Sequence, residues 1–254
     1  MSSDLAALLE IAREASRLAG EIIMPLYESG TAVELKYDRS PVTIADRRAE
    51  ESIREFLARE CPSHGILGEE FGETIGDGHF RWVLDPIDGT KAFIHHVPLF
   101  GTLIALEHDG VPVLGVIGCH ALGETVWGAK GLGAWLNGQP AHVSNTATLA
   151  EATICTTSFQ RWRHDYPRSF SQACAEAGMM RTWGDCFGYL QVATGRAEAM
   201  LDPEMNLWDV AALYPIITEA GGRITTWSGE AGPGGSAIAT NGVLHETVLS
   251  IANA

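Results

Sequence analysis

The chain has 254 residues, of which 46% are apolar, so it can bury the core of one large domain or of two closely packed halves, and a disordered protein is excluded. A formal net charge of −15 excludes a protein that wraps nucleic acid or coats an anionic membrane, because both surfaces demand clustered Lys and Arg. Five cysteines without a Cys-x-x-Cys pair, an N-terminus unlike a signal peptide and the lack of a bilayer-spanning apolar run indicate a cytoplasmic protein.

The predicted elements mix helices and strands. Apolar residues at helical spacing predict a first helix that ends near Gly30 and a second from about Ala45 to Glu60. A strand then leads into the run DPIDGT, and apolar runs broken by Gly-containing turns between 102 and 144 predict an antiparallel meander. The elements expected after the meander are a strand at 152–158, helices at 168–177 and 188–194, a strand at 197–202, a helix at 208–220, a strand at 222–227, and a closing strand and helix from 236.

This order of elements predicts the fold class and the domain organisation. Strict βαβ alternation is absent, so we expect an α+β fold built in layers. The sequence contains no linker or repeat, which favours a single domain over residues 1–254. A seam between two half-domains is expected near 144–150.

Acidic residues recur at four places, each of which has an ordinary explanation when taken alone, such as a helix cap, a solvated pair or a turn. They are Asp46 in SPVTIAD, Glu69 in ILGEEFG, Asp85 and Asp88 in DPIDGT, and Asp209 in NLWDVAA. In DPIDGT, Pro86 fixes φ and lacks an N–H, which allows Asp85 and Asp88 to converge. Carboxylate oxygens, with the carbonyl of Ile87 between them, suit Mg²⁺ or Mn²⁺.

The end of the same run is suited to bind an anion. Gly89 allows a close turn, so the amides of Gly89 and Thr90 can donate to a phosphate at the start of a helical turn. His95 and His96 follow, and we interpret them as surface or loop residues, since a site of oxygen ligands does not call for imidazole.

Taken together and in this order, SPVTIAD, GEE, DPIDGT and WD resemble the inositol monophosphatase superfamily of metal-dependent, lithium-sensitive phosphatases. The resemblance extends from the first helix to EAGG at 219–222. It implies a layered αβαβα sandwich of the inositol monophosphatase/fructose-1,6-bisphosphatase type. It also implies a phosphomonoesterase with roughly two or three Mg²⁺ ions per site, or Mn²⁺ in their place, and a homodimer.

The resemblance implies a set of metal ligands. Glu69, Asp85 and the Ile87 carbonyl would hold one cation. A second would be held by Asp85, Asp88 and Asp209, so that Asp85 bridges the two. Two cations in such a site can activate a water and stabilise both the entering and the leaving oxygen of an in-line displacement.

It implies roles for the surrounding residues as well. Glu69 and Thr90 would orient the attacking water and help to deprotonate it, and Asp46 would support them. The Gly89 and Thr90 amides would bind the phosphate. Lys36 lies where the family has a mobile loop over the site, and it would either approach the phosphate or the region of a third metal, or be a solvated lysine.

The substrate pocket points to one branch of this superfamily. DPIDGTKAF with its Lys91, WGDCFGYL and DPEMNLWDVAAL resemble the bacterial and plant histidinol-phosphate phosphatases. Asp185 stands where the inositol branch carries small or hydroxyl residues, and Asp202 and Glu204 precede Asp209 by a few positions. These carboxylates would accept hydrogen bonds from the ammonium and imidazole groups of L-histidinol phosphate, whereas a helix N-cap is the alternative for Asp185.

Three other functions stay open. A broad inositol or sugar phosphate phosphatase would keep the same metals and lack a preference for charged esters. A non-catalytic phosphate-binding protein is disfavoured because every expected metal ligand is present. A nucleotide phosphatase would need a basic or aromatic cluster for the base, and the sequence shows none.

Overall fold

Helices and strands follow one another irregularly in the computed structural model, which describes residues 2–35, 41–76 and 78–254. The helices are α1 Ser2–Ser29, α2 Ile44–Glu60, α3 Thr90–Ile94, α4 Phe159–Asp165, α5 Pro167–Glu176, α6 Asp185–Ala193, α7 Leu207–Val210, α8 Leu213–Glu219 and α9 His245–Ala252. The strands are β1 Val33–Leu35, β2 Pro41–Thr43, β3 Gly65–Gly68, β4 Gly72–Thr74, β5 Phe80–Asp88, β6 Gly101–His108, β7 Val111–Cys119, β8 Glu124–Ala129, β9 Gly133–Leu136, β10 Gln139–Pro140, β11 Thr153–Cys155, β12 Met179–Arg181, β13 Ala199–Asp202, β14 Arg223–Thr225 and β15 Ala237–Thr240.

Two sheets organise the molecule. The larger has the order β10-β9-β8-β7-β6-β5-β3-β4, and the smaller has the order β12-β11-β13-β15-β14. Strands β5 to β10 pair antiparallel with their neighbours in sequence, which confirms the predicted meander. Strand β3 instead runs parallel to β5, so both strands end at the same edge of the sheet.

Three hydrophobic cores hold the five layers together. The first joins α1 and α2 to one face of the large sheet, with Ile23 and Ile53 buried there. The second lies between the two sheets and contains Leu190 of α6 and Ile216 of α8. The third packs Trp162 of α4, together with α5 and α9, on the outer face of the small sheet. The predicted α+β sandwich with αβαβα layers is therefore confirmed.

Several element boundaries differ from the expectation. The helix predicted from Trp208 to Ala220 is divided into α7 and α8. Helix α4 was not predicted, and it begins where Ser158 Oγ accepts the N–H of Arg161 at 3.1 Å. Strands β1 to β4 were also missed, because strands of three or four residues carry too little periodicity to be identified from the sequence.

The remaining features agree with a reduced, globular chain. None of the five cysteines forms a disulfide, and all except Cys174 are buried. In the described ranges, no helix combines the length and the apolar character that crossing a bilayer requires. Residues 141–148 form an irregular connection between the sheets, close to the expected seam, and the single domain stays a prediction.

His245, at the start of α9, is fully buried against the small sheet. Its Nε2 lies 3.1 Å from Thr225 Oγ1, and its Nδ1 lies 3.1 Å from Thr240 Oγ1. Burial lowers the pKa of His245 from 6.5 to about 4, Arg223 acts in the same direction, and Glu246 opposes them. The imidazole is therefore neutral at pH 7.

We expect His245→Asn to reduce the pH dependence of folding stability. The unfolded chain protonates this histidine below about pH 6.5, whereas the folded chain does so only below about pH 4, so the wild type loses stability as the pH falls through that window. Between pH 7 and pH 4.5 the wild type should lose about 2 kcal/mol more than the variant. Urea unfolding of both proteins at the two pH values measures this difference. Equal losses in both would refute the assignment.

Candidate metal and phosphate site

A bulge in β5 brings two aspartates to one side. Asp85 pairs with Leu103 and Asp88 pairs with Gly101, so β5 uses one residue more than β6 over this interval. Side chains three positions apart in a regular strand point to opposite faces, and the extra residue returns Asp88 to the face of Asp85. Oxygens of Asp85, Asp88 and Asp209 accordingly lie within 4.8 Å of one another.

Glu69 reaches the same place through the parallel pairing of β3 and β5. Gly68 is opposite Leu84, and the N–H of Glu69 donates to the Leu84 carbonyl at 3.2 Å. An acid follows each member of this pair, Glu69 after Gly68 and Asp85 after Leu84. The Glu69 carboxyl hydrogen-bonds to Asp85. The end of β3 thus adds a fourth acid beside the three aspartates.

Asp46 and Asp209 are held by the same local structure at the start of a helix. Each is the third residue of its helix and the last residue of a capping box, in which its carboxylate accepts the backbone N–H of the cap residue. For Asp46 this N–H belongs to Thr43, at 2.7 Å, and for Asp209 it belongs to Asn206, at 2.6 Å. Both carboxylates are fixed by short-range contacts. Asp46 is buried and interacts electrostatically with Glu69, and its supporting role stays a prediction.

The electrostatics of the cluster are unfavourable without a cation. Burial, followed by repulsion from neighbouring acids, raises the pKa of Asp85 and of Asp88 well above the ordinary range. Burial also raises the pKa of Asp209 to about 6. Asp85 Oδ1 is buried and, among the described residues, has no hydrogen-bond partner. A buried oxygen without a partner beside three further acids fits a divalent cation that prefers oxygen ligands, such as Mg²⁺ or Mn²⁺.

The turn after the bulge is tight. Gly89 has φ +88°, and a Cβ there would lie 3.0 Å from the Leu99 carbonyl, so no other residue fits without strain. Helix α3 begins at Thr90, whose Oγ1 donates to the Ile87 carbonyl at 3.0 Å. A carbonyl oxygen has two lone pairs, so Ile87 keeps one for a cation.

Asp185 faces this turn in a strained conformation. Its φ of +51° is rare for residues other than glycine and costs about 1–3 kcal/mol. One carboxylate oxygen lies 3.2 Å from the position that a Cβ on Gly89 would take. The N-cap of α6 is Gly184, with no side-chain cap, so the N-cap alternative for Asp185 is wrong.

The charge of Asp185 is set by its neighbours. Burial, with Asp202 and Asp209 as further causes, raises the pKa of Asp185 to about 7, whereas Lys91 opposes this rise. The next residue, Cys186, donates its backbone N–H to Asp88 Oδ2. The start of α6 therefore contacts the clustered carboxylates through Asp88 and presents one more acid beside them.

Asp202 is not placed to accept hydrogen bonds from a substrate, contrary to the expectation from the sequence. It is 5% exposed, and its carboxylate accepts Thr157 N–H at 2.9 Å, Thr157 Oγ1 at 3.1 Å and the Tyr189 hydroxyl at 3.1 Å. Thr157 Oγ1 in turn accepts the N–H of Asp185 at 2.9 Å. Asp202 therefore supports Asp185 indirectly, through Thr157. Because protein donors already occupy the oxygens of Asp202, they are not available to a substrate.

Glu204 also differs from the expectation. Its side chain is 63% exposed and is ion-paired with Arg161 of α4. The structure gives it no place among the clustered carboxylates. His95 and His96 are exposed, as expected. Lys36 lies outside the described residues.

Three supporting residues were missed by the sequence analysis. Glu50 of α2 is fully buried, and its carboxylate accepts the N–H of Glu70 at 2.7 Å, which holds the turn after Glu69. Thr157 links Asp185 to Asp202, and Thr102 contacts the bulge. No motif marks these residues. The only signal for Glu50 was an acid on the buried face of a predicted helix.

Comparison with known proteins assigns the family. The profile of the inositol monophosphatase family matches residues 4–254. The chain is 43% identical to a histidinol-phosphatase of Chlorobaculum parvum, over 87% of this chain and 85% of that protein, and 42% identical to a histidinol-phosphatase of Mycobacterium tuberculosis, over 87% and 88%. An inositol monophosphatase structure from Zymomonas mobilis superposes with a TM-score of 0.86 and 35% identity, covering 98% of each chain. The chain belongs to the inositol monophosphatase family.

Proposed function

We propose that this phosphomonoester hydrolase of the inositol monophosphatase family is Mg²⁺-dependent and converts L-histidinol phosphate and water into L-histidinol and phosphate, a step of histidine biosynthesis. The observation that carries the proposal is the group formed by Asp85, Asp88 and Asp209, in which Asp85 Oδ1 is buried without a partner. The hydrolase class follows from the family, and the cation and the ester are the proposed parts.

The cation would be held by the carboxylates of Glu69, Asp85, Asp88 and Asp209 together with the carbonyl of Ile87. When bound, Mg²⁺ supplies the positive charge that offsets these acids and the phosphate and favours attack at phosphorus. Mn²⁺ is the alternative ion, because both prefer oxygen ligands.

The chain itself positions the reactants. The amides of Gly89 and Thr90 bind the phosphate at the tight turn. Glu69 accepts the proton of the attacking water, which Thr90 helps to orient, and buried Asp46, which interacts electrostatically with Glu69, supports them. The leaving oxygen takes up a proton from solvent and Glu69 returns its own to solvent, so the products are a free alcohol and phosphate.

The choice of ester rests on Asp185. A carboxylate beside the phosphate turn is an acceptor for an ammonium or imidazolium group, and charge-assisted hydrogen bonds of this kind are stronger than those of a neutral polyol. The two relatives above are named histidinol-phosphatases, which supports the same ester.

The alternative is a phosphatase with broad activity on inositol or sugar phosphates. The likeness to the Zymomonas mobilis enzyme favours it, since that enzyme is an inositol monophosphatase with the same fold. Both candidates need the same metal site, and only the pocket for the leaving group separates them. The family resemblance further supports a cytoplasmic homodimer inhibited by lithium, and these properties stay predictions.

We expect kcat/KM with Mg²⁺ to be at least about 100-fold higher for L-histidinol phosphate than for inositol 1-phosphate, about 2.7 kcal/mol of differential transition-state binding. Both substrates are assayed with one preparation at saturating Mg²⁺. Comparable values would keep the metal chemistry and favour the broad phosphatase. Absence of Mg²⁺-dependent activity on either ester would contradict the metal proposal itself.

A further inference from the structure

A buried hydroxyl lies opposite the bulge of β5. Between Asp85 and Asp88, β5 has two residues where β6 has only Thr102. Thr102 is fully buried, and its Oγ1 donates to the Pro86 carbonyl at 2.9 Å. Because a bulge interrupts the backbone ladder, this side-chain bond replaces a missing backbone partner.

His120 also contacts the Thr102 hydroxyl. Its Nε2 lies 3.1 Å from Thr102 Oγ1. The one hydroxyl hydrogen of Thr102 goes to the Pro86 carbonyl, so the bond to His120 requires a hydrogen on Nε2. The ring has little room to turn, since a Cβ on Gly20 would lie 2.6 Å from Nδ1 and a Cβ on Gly118 would lie 2.8 Å from Cε1. We call Thr102 and His120 the bulge latch.

We propose that Thr102, backed by His120, is a positioning residue that holds the bulge in the register required for Asp85 and Asp88 to share a cation. The inference rests on the proposed function, because it assumes that these carboxylates bind a divalent ion. Thr102 touches neither substrate nor metal, and it acts through the Pro86 carbonyl.

The effect of the latch follows from the geometry of the strand. Without the Thr102 hydroxyl, the Pro86 carbonyl would be a buried acceptor without its partner. The bulged pairing of β5 with β6 then loses stability relative to a regular ladder, in which Asp88 turns to the face opposite Asp85. The metal-binding side chains are all still present, but Asp85 and Asp88 no longer lie on the same face of the strand.

The chain contains a matched control for this contact. Thr225 of β14 is also buried, donates Oγ1 to the Thr226 carbonyl at 3.0 Å and lies 3.1 Å from Nε2 of His245. It makes the same pair of bonds in the small sheet. Thr225→Val therefore removes an equivalent hydroxyl without touching the bulge.

The test is titration of Mn²⁺ into substrate-free protein, followed by electron paramagnetic resonance of the free ion. We expect Thr102→Val to weaken Mn²⁺ binding by about 10- to 100-fold, the range found when groups that orient metal ligands are removed. Thr102→Ser keeps the hydroxyl and should stay within about threefold of the wild type, as should Thr225→Val. Thermal unfolding of each protein checks that it is folded.

The outcomes separate the two levels of inference. Wild-type protein that binds no Mn²⁺ would overturn the proposed function and the latch together. Wild-type protein that binds Mn²⁺, with Thr102→Val binding equally well, would overturn the latch alone. Equal weakening in Thr102→Val and Thr225→Val would also overturn it. If Thr102→Val does not fold, His120→Phe decides, because it removes the Nε2 contact and keeps the ring, and unchanged Mn²⁺ affinity there would refute the latch.

Discussion

Asp85→Asn will lower kcat/KM for phosphate esters at saturating Mg²⁺ by at least about 1000-fold and will raise the stability of the metal-free protein. The loss of activity is expected because Asp85 is the central acid of the group, hydrogen-bonded to Glu69 and within 4.8 Å of oxygens of Asp88 and Asp209. An amide keeps the shape and removes the charge that attracts a cation.

The gain in stability has the same origin. Asp85 is 2% exposed, its Oδ1 has no partner in the described part of the chain, and Glu69, Asp88 and Asp209 repel its charge. Removing a buried charge that lacks compensation should stabilise the metal-free protein by about 1–3 kcal/mol. Urea unfolding in the presence of a chelator measures this change. Repeating it with Mg²⁺ should show stabilisation of the wild type and almost none of the variant.

Two controls give this result its meaning. Asp202→Asn changes another buried aspartate, but three donors already satisfy that carboxylate, so the substitution should lower stability. Asp109→Asn changes an exposed aspartate on the loop after β6 and should alter neither activity nor stability. If Asp85→Asn destabilised the metal-free protein as Asp202→Asn does, Asp85 would be a structural acid and the cation site would be misassigned.

The local sequence marks the clustered acids because several of them lie in recognisable short-range structure, and their role as metal ligands stays a prediction. Pro86 marks an interruption of β5, and the capping boxes at Asp46 and Asp209 are readable over four residues. The layered fold could also be predicted from the sequence, since the amphipathic first helix and the meander leave clear periodic patterns. What the motif did not reveal is that a bulge, with Thr102 opposite it, is the device that turns Asp88 toward Asp85.

The contacts that the sequence could not predict are long-range. Asp202 and Glu204 are two residues apart, yet one is buried by Thr157 and Tyr189 and the other is exposed beside Arg161. Neither lines the pocket, and the surroundings of each depend on residues far away in the sequence, such as Thr157, which is separated from Asp202 by 45 positions, so no local pattern encodes them. Glu50 was missed for the same reason, because its partner amides lie 20 residues further along the chain.

Asp185→Asn will lower kcat/KM for L-histidinol phosphate by about 100-fold and for p-nitrophenyl phosphate by no more than about threefold, both at saturating Mg²⁺. Asparagine tolerates the positive φ of this position, so the backbone at the start of α6 is kept. The amide loses the negative charge that attracts an ammonium group. The aryl group of p-nitrophenyl phosphate carries no cation and makes no such bond.

The difference between the two substrates is the informative quantity, because Asp185 also repels Asp88. Its neutralisation should tighten cation binding slightly, an effect that saturating Mg²⁺ removes and that would be common to both esters in any case. Glu204→Gln, at an exposed acid paired with Arg161, should change both values by less than about threefold. Equal losses on the two esters in Asp185→Asn would make Asp185 a structural residue whose strained backbone positions the Cys186 amide to bind Asp88. They would also remove the main support for a cationic ester as the substrate.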